Sequence, residues 1–230
     1  MTTMEGGTMT DTGYTLVIGD KNYSSWSLRP WLSLKASGIP FREERIRLRQ
    51  PESKAEIFKR SPSGKVPVLK TDLGAIYDSL AIVEYLAEQY PGAALWPASP
   101  AARAAARCVS AEMHSGFQAL RNDMPMDLVS SFAMPELSET LANNIGRVIE
   151  VWKETRARFG HNGPFLFGAF GNADAMYAPV ATRFRTYNVP LSEFGDDGTA
   201  AAYVDAIYAM PAMAEWLAGA DAEMRERGLI

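Results

Sequence analysis

Three short stretches place hydroxyls, a carboxylate and unpaired backbone N–H groups where they can grip a polar ligand. The first is Asn22-Tyr23-Ser24-Ser25-Trp26-Ser27-Leu28-Arg29-Pro30-Trp31, which leads from an apolar run into a helical pattern. The first N–H groups of a helix have no intrahelical partner, and the helix dipole is positive there. A serine hydroxyl at such a point donates to an anion held over the helix start, or it caps the helix and does nothing more. Ser24, Ser25 and Ser27 are all candidates, and one can cap while another does chemistry. The second stretch is Ser63-Gly64-Lys65-Val66-Pro67-Val68-Leu69. Proline has no N–H to give a ladder, so it sits at a sheet edge, a strand start or a special turn. An ordinary trans bond at a strand start meets that condition. So does a cis Val66–Pro67 bond that turns the Val66 backbone toward a ligand. The third stretch, Tyr77-Asp78-Ser79-Leu80-Ala81-Ile82-Val83-Glu84-Tyr85-Leu86, opens a second helix. There Ser79 and its backbone N–H can take a carboxylate while Asp78 holds an ammonium, or the pair is a plain cap.

These groups need a scaffold, and the pattern of apolar residues supplies one. Tyr14 to Ile18 is a β-branched apolar run that reads as a strand. Leu28, Trp31 and Leu32 recur at helical spacing between Ser24 and Ser37, and Gly38-Ile39-Pro40 stops that helix. Phe41 to Leu48 suits an edge strand. A short polar helix is expected over 52–60, then strands at 66–69 and 75–77 joined by a Leu73-Gly74 turn. Ser79 to Tyr90 carries Leu80, Val83, Leu86, Ala87 and Tyr90 on one stripe and is strongly amphipathic. The order is β-α-β-α-β-β-α. Residues 92–100 hold two of the three prolines of the linker Pro91 to Pro100, with small residues between. Beyond it the alternating pattern disappears. Helices are expected at Ala101–Met124, Glu136–Phe159, Ala173–Tyr187, Thr199–Met210 and Ala212–Arg227. The expected divisions are a disordered tail over 1–13, an α/β domain over 14–91, a linker over 92–100 and an all-helical domain over 101–230.

Composition narrows the partners. The chain has 230 residues, 47% hydrophobic and 22% charged, enough for a substantial core. Lys plus Arg is 23 and Asp plus Glu is 27, a net charge of −4. A weakly acidic surface argues against nucleic acid as the main partner, because phosphate binding rests on clustered cations. The run Arg42, Arg45, Arg47 and Arg49 reads as a solvated strand face. Cys108 is the one cysteine, so an internal disulfide and a cysteine-built metal site are both excluded, and a reducing, cytoplasmic compartment is expected. No apolar run nears the ~20 residues of a membrane span. His114 and His161 stand apart in sequence and suggest no metal site. No C-x-x-C motif supports disulfide reduction.

Taken together, the Val66-Pro67 pair, the DSLAIVEYL stretch at 78–86 and the linker from Tyr90-Pro91-Gly92 to Leu95-Trp96-Pro97 resemble the glutathione transferase superfamily. The resemblance runs from about Thr15 to the end of the chain. Phe167 to Ala175 is similar to the family's helix-capping segment, with Gly171 where a Ser or Thr is usual and Asp174 as the acid. Ser24-Ser25-Trp26-Ser27 looks most like the serine motif of the zeta class, which includes maleylacetoacetate isomerases, but Trp26 replaces the motif cysteine. The resemblance implies a thioredoxin-like N-terminal domain followed by an all-α C-terminal domain. It implies glutathione as co-substrate, no metal, and a cytoplasmic homodimer with a detoxification-type transferase activity. Ser24, with Ser25 second, would stabilise the glutathione thiolate for attack on a small apolar electrophile. Val66, beside a cis Pro67, would pair with the cysteinyl amide. Asp78 and Ser79 would hold the γ-glutamyl end, and Lys65 the glycyl carboxylate. Maleylacetoacetate-type isomerisation, and a non-catalytic glutathione-binding protein of the same fold, are the alternatives. The electrophile would lie near Ser110–Phe117 and Met124-Pro125-Met126, or those methionines are plain core.

Overall fold

A short apolar strand followed by a helix and a second strand needs a crossover, and β1 (Thr15–Ile18), α1 (Ser25–Ser37) and β2 (Arg42–Arg45) make one, with β1 and β2 parallel. The computed structural model describes residues 13–230, so the tail expected over 1–13 lies, Gly13 apart, outside the described residues. Next come α2 (Ser53–Phe58), β3 (Val68–Thr71), β4 (Gly74–Ile76) and α3 (Ser79–Gln89), in the order expected. The sheet runs β2-β1-β3-β4, and β3 is antiparallel to both of its neighbours. Leu16, Val17 and Ile18 are fully buried, because helices cover both faces of β1. Leu16 and Ile18 join the main core with Leu28, Trp31 and Leu32 of α1, while Val17 packs with Ile46, Ile57 and Val68. Gly38 ends α1 at φ 70°, and the N–H groups of Gly38 and Ile39 reach back to the carbonyls of Lys35 and Leu34. Glycine takes that left-handed turn without a Cβ penalty.

The rest of the described chain is helical: α4 (Pro100–Ser115), α5 (Gln118–Asp123), α6 (Glu139–Phe159), α7 (Asn172–Thr186), α8 (Thr199–Tyr208) and α9 (Pro211–Glu226). The single helix expected over 101–124 is broken at Gly116 and Phe117. Gly116 is extended and Phe117 sits at φ 61° with its ring buried. The Arg121 side chain accounts for the break. Its guanidinium donates to the carbonyls of Met113 and Gly116, which the end of α4 leaves without helical donors. Met124 and Met126 are buried in the core, which agrees with the packing reading of that stretch.

α7 is the central helix and packs on both α1 and α4. Its first residue, Asn172, is fully buried and satisfied three ways. The backbone N–H donates to Leu95 O at 2.8 Å, the side-chain amide donates to Val83 O at 3.0 Å, and the side-chain oxygen accepts from Ser33 Oγ at 2.9 Å. Gly171 precedes it as cap because a Cβ there would stand 3.0 Å from Leu95 O. Asp174 supplies the capping acid, accepting from the N–H groups of Gly171 at 2.9 Å and Leu166 at 3.0 Å.

α9 closes back over the start of the chain. Trp216 meets Trp31 edge to face at 5.0 Å, and its indole N–H donates to Lys21 O at 3.0 Å. Lys21 N–H donates to Glu223 at 2.7 Å. Arg45 and Arg47 both pair with Glu226, so two members of the arginine run expected on a solvated face form a clasp between the halves. Each such exposed pair stabilises by at most about 1 kcal/mol; the buried tryptophans carry more of the contact. Among the described residues, no helix is long and apolar enough to cross a membrane.

Candidate active site

The start of α1, the turn before β3 and the start of α3 all open onto one cavity of about 840 Å³. Tyr23, Ser24 and Trp26 line it from the first, Ser63 to Pro67 from the second, and Tyr77, Asp78, Ser79 and Ala81 from the third; Leu48 and Ile57 add apolar surface. The Val66–Pro67 bond is cis, and so is Tyr77–Asp78. Gly64 has φ 66°, a turn that glycine takes without a Cβ penalty, and a Cβ there would have to push the exposed Phe58 ring aside.

Ser24 is the residue before α1, but its side chain does not cap the helix. Its Oγ donates to Ser27 Oγ at 2.7 Å, and Ser27 Oγ in turn accepts the Gly19 N–H at 3.1 Å. Ser27 is fully buried, and Ser24 is 5% exposed at the cavity wall. The preceding loop is held firmly. The side-chain oxygen of buried Asn22 accepts from the N–H groups of Leu128 at 2.6 Å and Val129 at 3.1 Å, and its amide donates to Asp127 at 2.9 Å. Ser25 does not line the cavity. Its hydroxyl turns the other way and accepts from Arg183 at 3.3 Å.

At the α3 start, Asp78 Oδ1 accepts from Leu80 N–H at 3.0 Å, the capping bond. Oδ2 meets His114 Nε2, from α4, at 3.0 Å. Ser79 is buried, and its Oγ lies 3.5 Å from Arg29 Nη1. Behind this wall three guanidiniums gather, and among the described residues no carboxylate is bonded to any of them. Arg29 is fully buried, stacked 4.2 Å from the Trp26 ring, and its Nε has no partner. Arg121 lies 4.8 Å from the same ring. Arg183 donates to the carbonyls of Met124 and Pro179. Burial, reinforced by Arg121 and Arg183, pulls the Arg29 pKa well below its ordinary value. Burial, with Arg121 adding to it, brings Arg183 down to about 9. Cation–π contact offsets part of this cost.

The profile of the glutathione S-transferase N-terminal domain matches residues 23–89. A probable maleylacetoacetate isomerase from Caenorhabditis elegans is 36% identical over 106 residues, 46% of this chain, and that match spans 49% of the nematode protein. The maleylacetoacetate isomerase of Mus musculus is 39% identical over 174 residues, 74% of this chain and 77% of the mouse protein. The chain belongs to the glutathione S-transferase family. A glutathione transferase homologue from Burkholderia, solved with bound glutathione, shares the fold at a TM-score of 0.69, with 24% identity over 91% of this chain and 98% of that one.

The cavity thus brings together Ser24, Lys65, Val66, Pro67, Asp78 and Ser79. Lys65 stands exposed at the rim. Two contributors escaped the sequence reading. Ser27 was one of three indistinguishable serines, and only the fold shows that it is the buried one behind Ser24. His114 was read as isolated, and no local signal joins it to Asp78, 36 residues earlier in the chain. Among the described residues no group of His, Cys, Asp or Glu is arranged to hold a metal.

Proposed function

We propose that this transferase binds glutathione in the cavity and that Ser24 donates its hydroxyl hydrogen to the sulfur, stabilising the thiolate for attack on a small apolar electrophile. The observation that carries the reading is Ser24 itself, a hydroxyl at a helix N-terminus on the wall of a cavity whose other walls carry Val66, Asp78 and Ser79. Glutathione offers two carboxylates, an ammonium, amides and a thiol, and the cavity has a complement for each. Lys65 suits the glycyl carboxylate, the Val66 backbone the cysteinyl amide, Ser79 and the α3 N-terminus the γ-glutamyl carboxylate, and Asp78 the ammonium. A free thiol has a pKa of about 8.5; a donor to the charged form and a helix N-terminus both lower it. Ser25, turned toward Arg183, acts in this reading only indirectly. Residues 14–91 form the glutathione-binding domain and 101–230 the helical domain, in a cytoplasmic homodimer.

A second reading is glutathione-dependent isomerisation of a maleyl-type substrate, favoured by the names of the relatives and by the guanidiniums of Arg29, Arg121 and Arg183 beside the cavity. There the thiolate adds to a cis double bond, the electron pair moves into the adjoining carbonyl, the new single bond rotates, and the thiolate leaves to give the trans alkene. Turnover of a chloronitroaromatic substrate and of maleylacetone by wild type, Ser24→Ala and Ser25→Ala separates the cases. The serine reading expects Ser24→Ala to lose most activity and Ser25→Ala to keep it. Turnover of maleylacetone alone supports the isomerase. Glutathione binding with no turnover of either leaves a non-catalytic binder.

A further inference from the structure

Asp78 is a short side chain with a demanding task in this reading. To receive an ammonium it must keep its negative charge and present one oxygen edge to the cavity. Its side chain is 55% exposed, so packing alone does not fix it. The capping bond from Leu80 N–H anchors Oδ1, and one anchor leaves the carboxylate free to turn about it. The second anchor comes from the other half of the molecule, where His114, on the last turn of α4, places Nε2 3.0 Å from Oδ2.

His114 is itself braced. Its ring meets Trp26 edge to face at 5.3 Å and 83°, and the same indole carries the Arg29 and Arg121 guanidiniums at 4.2 and 4.8 Å. Trp26 stands where the zeta motif has cysteine, and a cysteine could not fill this place between an imidazole and two guanidiniums. The charged groups facing the imidazole are Asp78 on α3, Arg29 on α1 and Arg121 on α5. Burial keeps the imidazole below the ordinary histidine range; Asp78 opposes that, and the two arginines reinforce it. Burial therefore favours the neutral ring, with Nε2–H as the donor, and among the described residues Nδ1 is buried without a partner. A neutral donor orients a carboxylate without cancelling its charge. A lysine or an imidazolium in the same place would neutralise Asp78 and repel the incoming ammonium.

We propose that His114 is a positioning residue for glutathione binding: from α4, backed by Trp26, it holds the Asp78 carboxylate in the attitude that receives the γ-glutamyl ammonium. The inference rests on the reading of the cavity as a glutathione site. It adds a specificity element built from both halves of the fold and directed at one group of the ligand.

The test uses two ligands, glutathione and its des-amino analogue, in which a glutaryl group replaces γ-glutamyl. Calorimetry measures Kd for both with wild type, His114→Ala, His114→Gln and His114→Lys. A hydrogen bond to a partly exposed charge sets the scale, so His114→Ala is expected to bind glutathione about fivefold more weakly. His114→Gln, whose amide N–H reaches the place of Nε2, should recover most of that loss, and His114→Lys should be weaker than His114→Ala. The des-amino analogue should bind wild type and His114→Ala equally within about twofold. In turnover, the His114→Ala effect should fall on KM for glutathione and leave kcat in place. Equal loss on both ligands would mean a merely structural role and would overturn the proposal, as would unchanged glutathione binding. If His114→Ala does not fold, the comparison of His114→Gln with His114→Lys decides alone, because glutathione binding by His114→Lys as tight as by His114→Gln contradicts the charge argument. Wild type that binds no glutathione overturns the functional reading itself, whereas loss confined to Ser24→Ala turnover leaves this inference standing.

Discussion

Replacing Ser27 by alanine removes a hydroxyl that never touches the ligand, yet its effect on the chemistry can be worked out from two distances. Ser27 Oγ takes the Gly19 N–H at 3.1 Å and lies 2.7 Å from Ser24 Oγ. Without ligand, Ser24 gives its hydrogen to Ser27. When a thiolate arrives, the Ser24 hydrogen turns to the sulfur, and the Ser27 hydrogen can swing round to donate to Ser24 Oγ. A backbone N–H, two hydroxyls and a thiolate then form one polarised chain, in which Ser24 is a stronger donor than it would be alone. Losing that support costs the thiolate about 1 kcal/mol, or roughly 0.7 of a pKa unit. The Gly19 N–H is also left buried without an acceptor, at about 2 kcal/mol, which for a chain of this size lowers Tm by about 4–8 °C. Ultraviolet titration of the thiolate in the glutathione complex reads the first effect, and thermal unfolding reads the second. Ser27→Ala should raise the bound thiol pKa while Ser24→Ala returns it toward the free value of about 8.5. A Tm that falls while the thiol pKa stays put would refute the hydroxyl chain and leave Ser27 a purely structural residue.

Two further outcomes concern the capping of α7. Burial lifts the Asp174 carboxyl to about 6, against backbone N–H bonds from Leu166 and Gly171 that pull it down. A carboxyl raised in the fold contributes stability that is full below its unfolded value near 3.9 and lost as pH rises through about 6. Tm of the wild type should therefore show a downward step between pH 4 and 6 that Asp174→Asn lacks, and above about pH 6 Asp174→Asn loses one of the two acceptors that the carboxylate offers Gly171 and Leu166. At Gly171, the hydroxyl residue usual in the family should not stabilise: Gly171→Ser brings a Cβ to 3.0 Å from Leu95 O and is expected to lower stability by about 1–2 kcal/mol in denaturant unfolding. A more stable Gly171→Ser would contradict that geometry.

Much of this molecule was legible because its signals are local. The β1 run of Tyr14 to Ile18, the Leu28-Trp31-Leu32 spacing and the Gly38 stop each specify their element from within a few residues, and the order of elements followed from them. The cavity walls are legible only when the three stretches are taken together, since each alone reads equally as an ordinary helix cap or a trans proline at a strand start. The breaks in that legibility come from long range. The interruption at Gly116 depends on where the Arg121 side chain goes, which helical periodicity does not encode. Arg45 looked solvated because its partner, Glu226, lies 181 residues away. Three serines in four positions could not be sorted by sequence, because Ser25 is turned away by Arg183 from α7, and Ser27 is claimed by the Gly19 N–H.

The capture of Lys21 has a practical corollary. Both its amide hydrogen and its carbonyl are spoken for by α9, through Glu223 and Trp216, and the Ser24 hydroxyl follows only three residues later. A fragment ending after α3 would hold every cavity-lining side chain yet lack the two α9 bonds that hold Lys21 ahead of Ser24. Substitutions in α9 therefore bear on the backbone just ahead of α1. Engineers wishing to tune this serine could therefore begin at Glu223, some two hundred positions downstream, without touching the pocket.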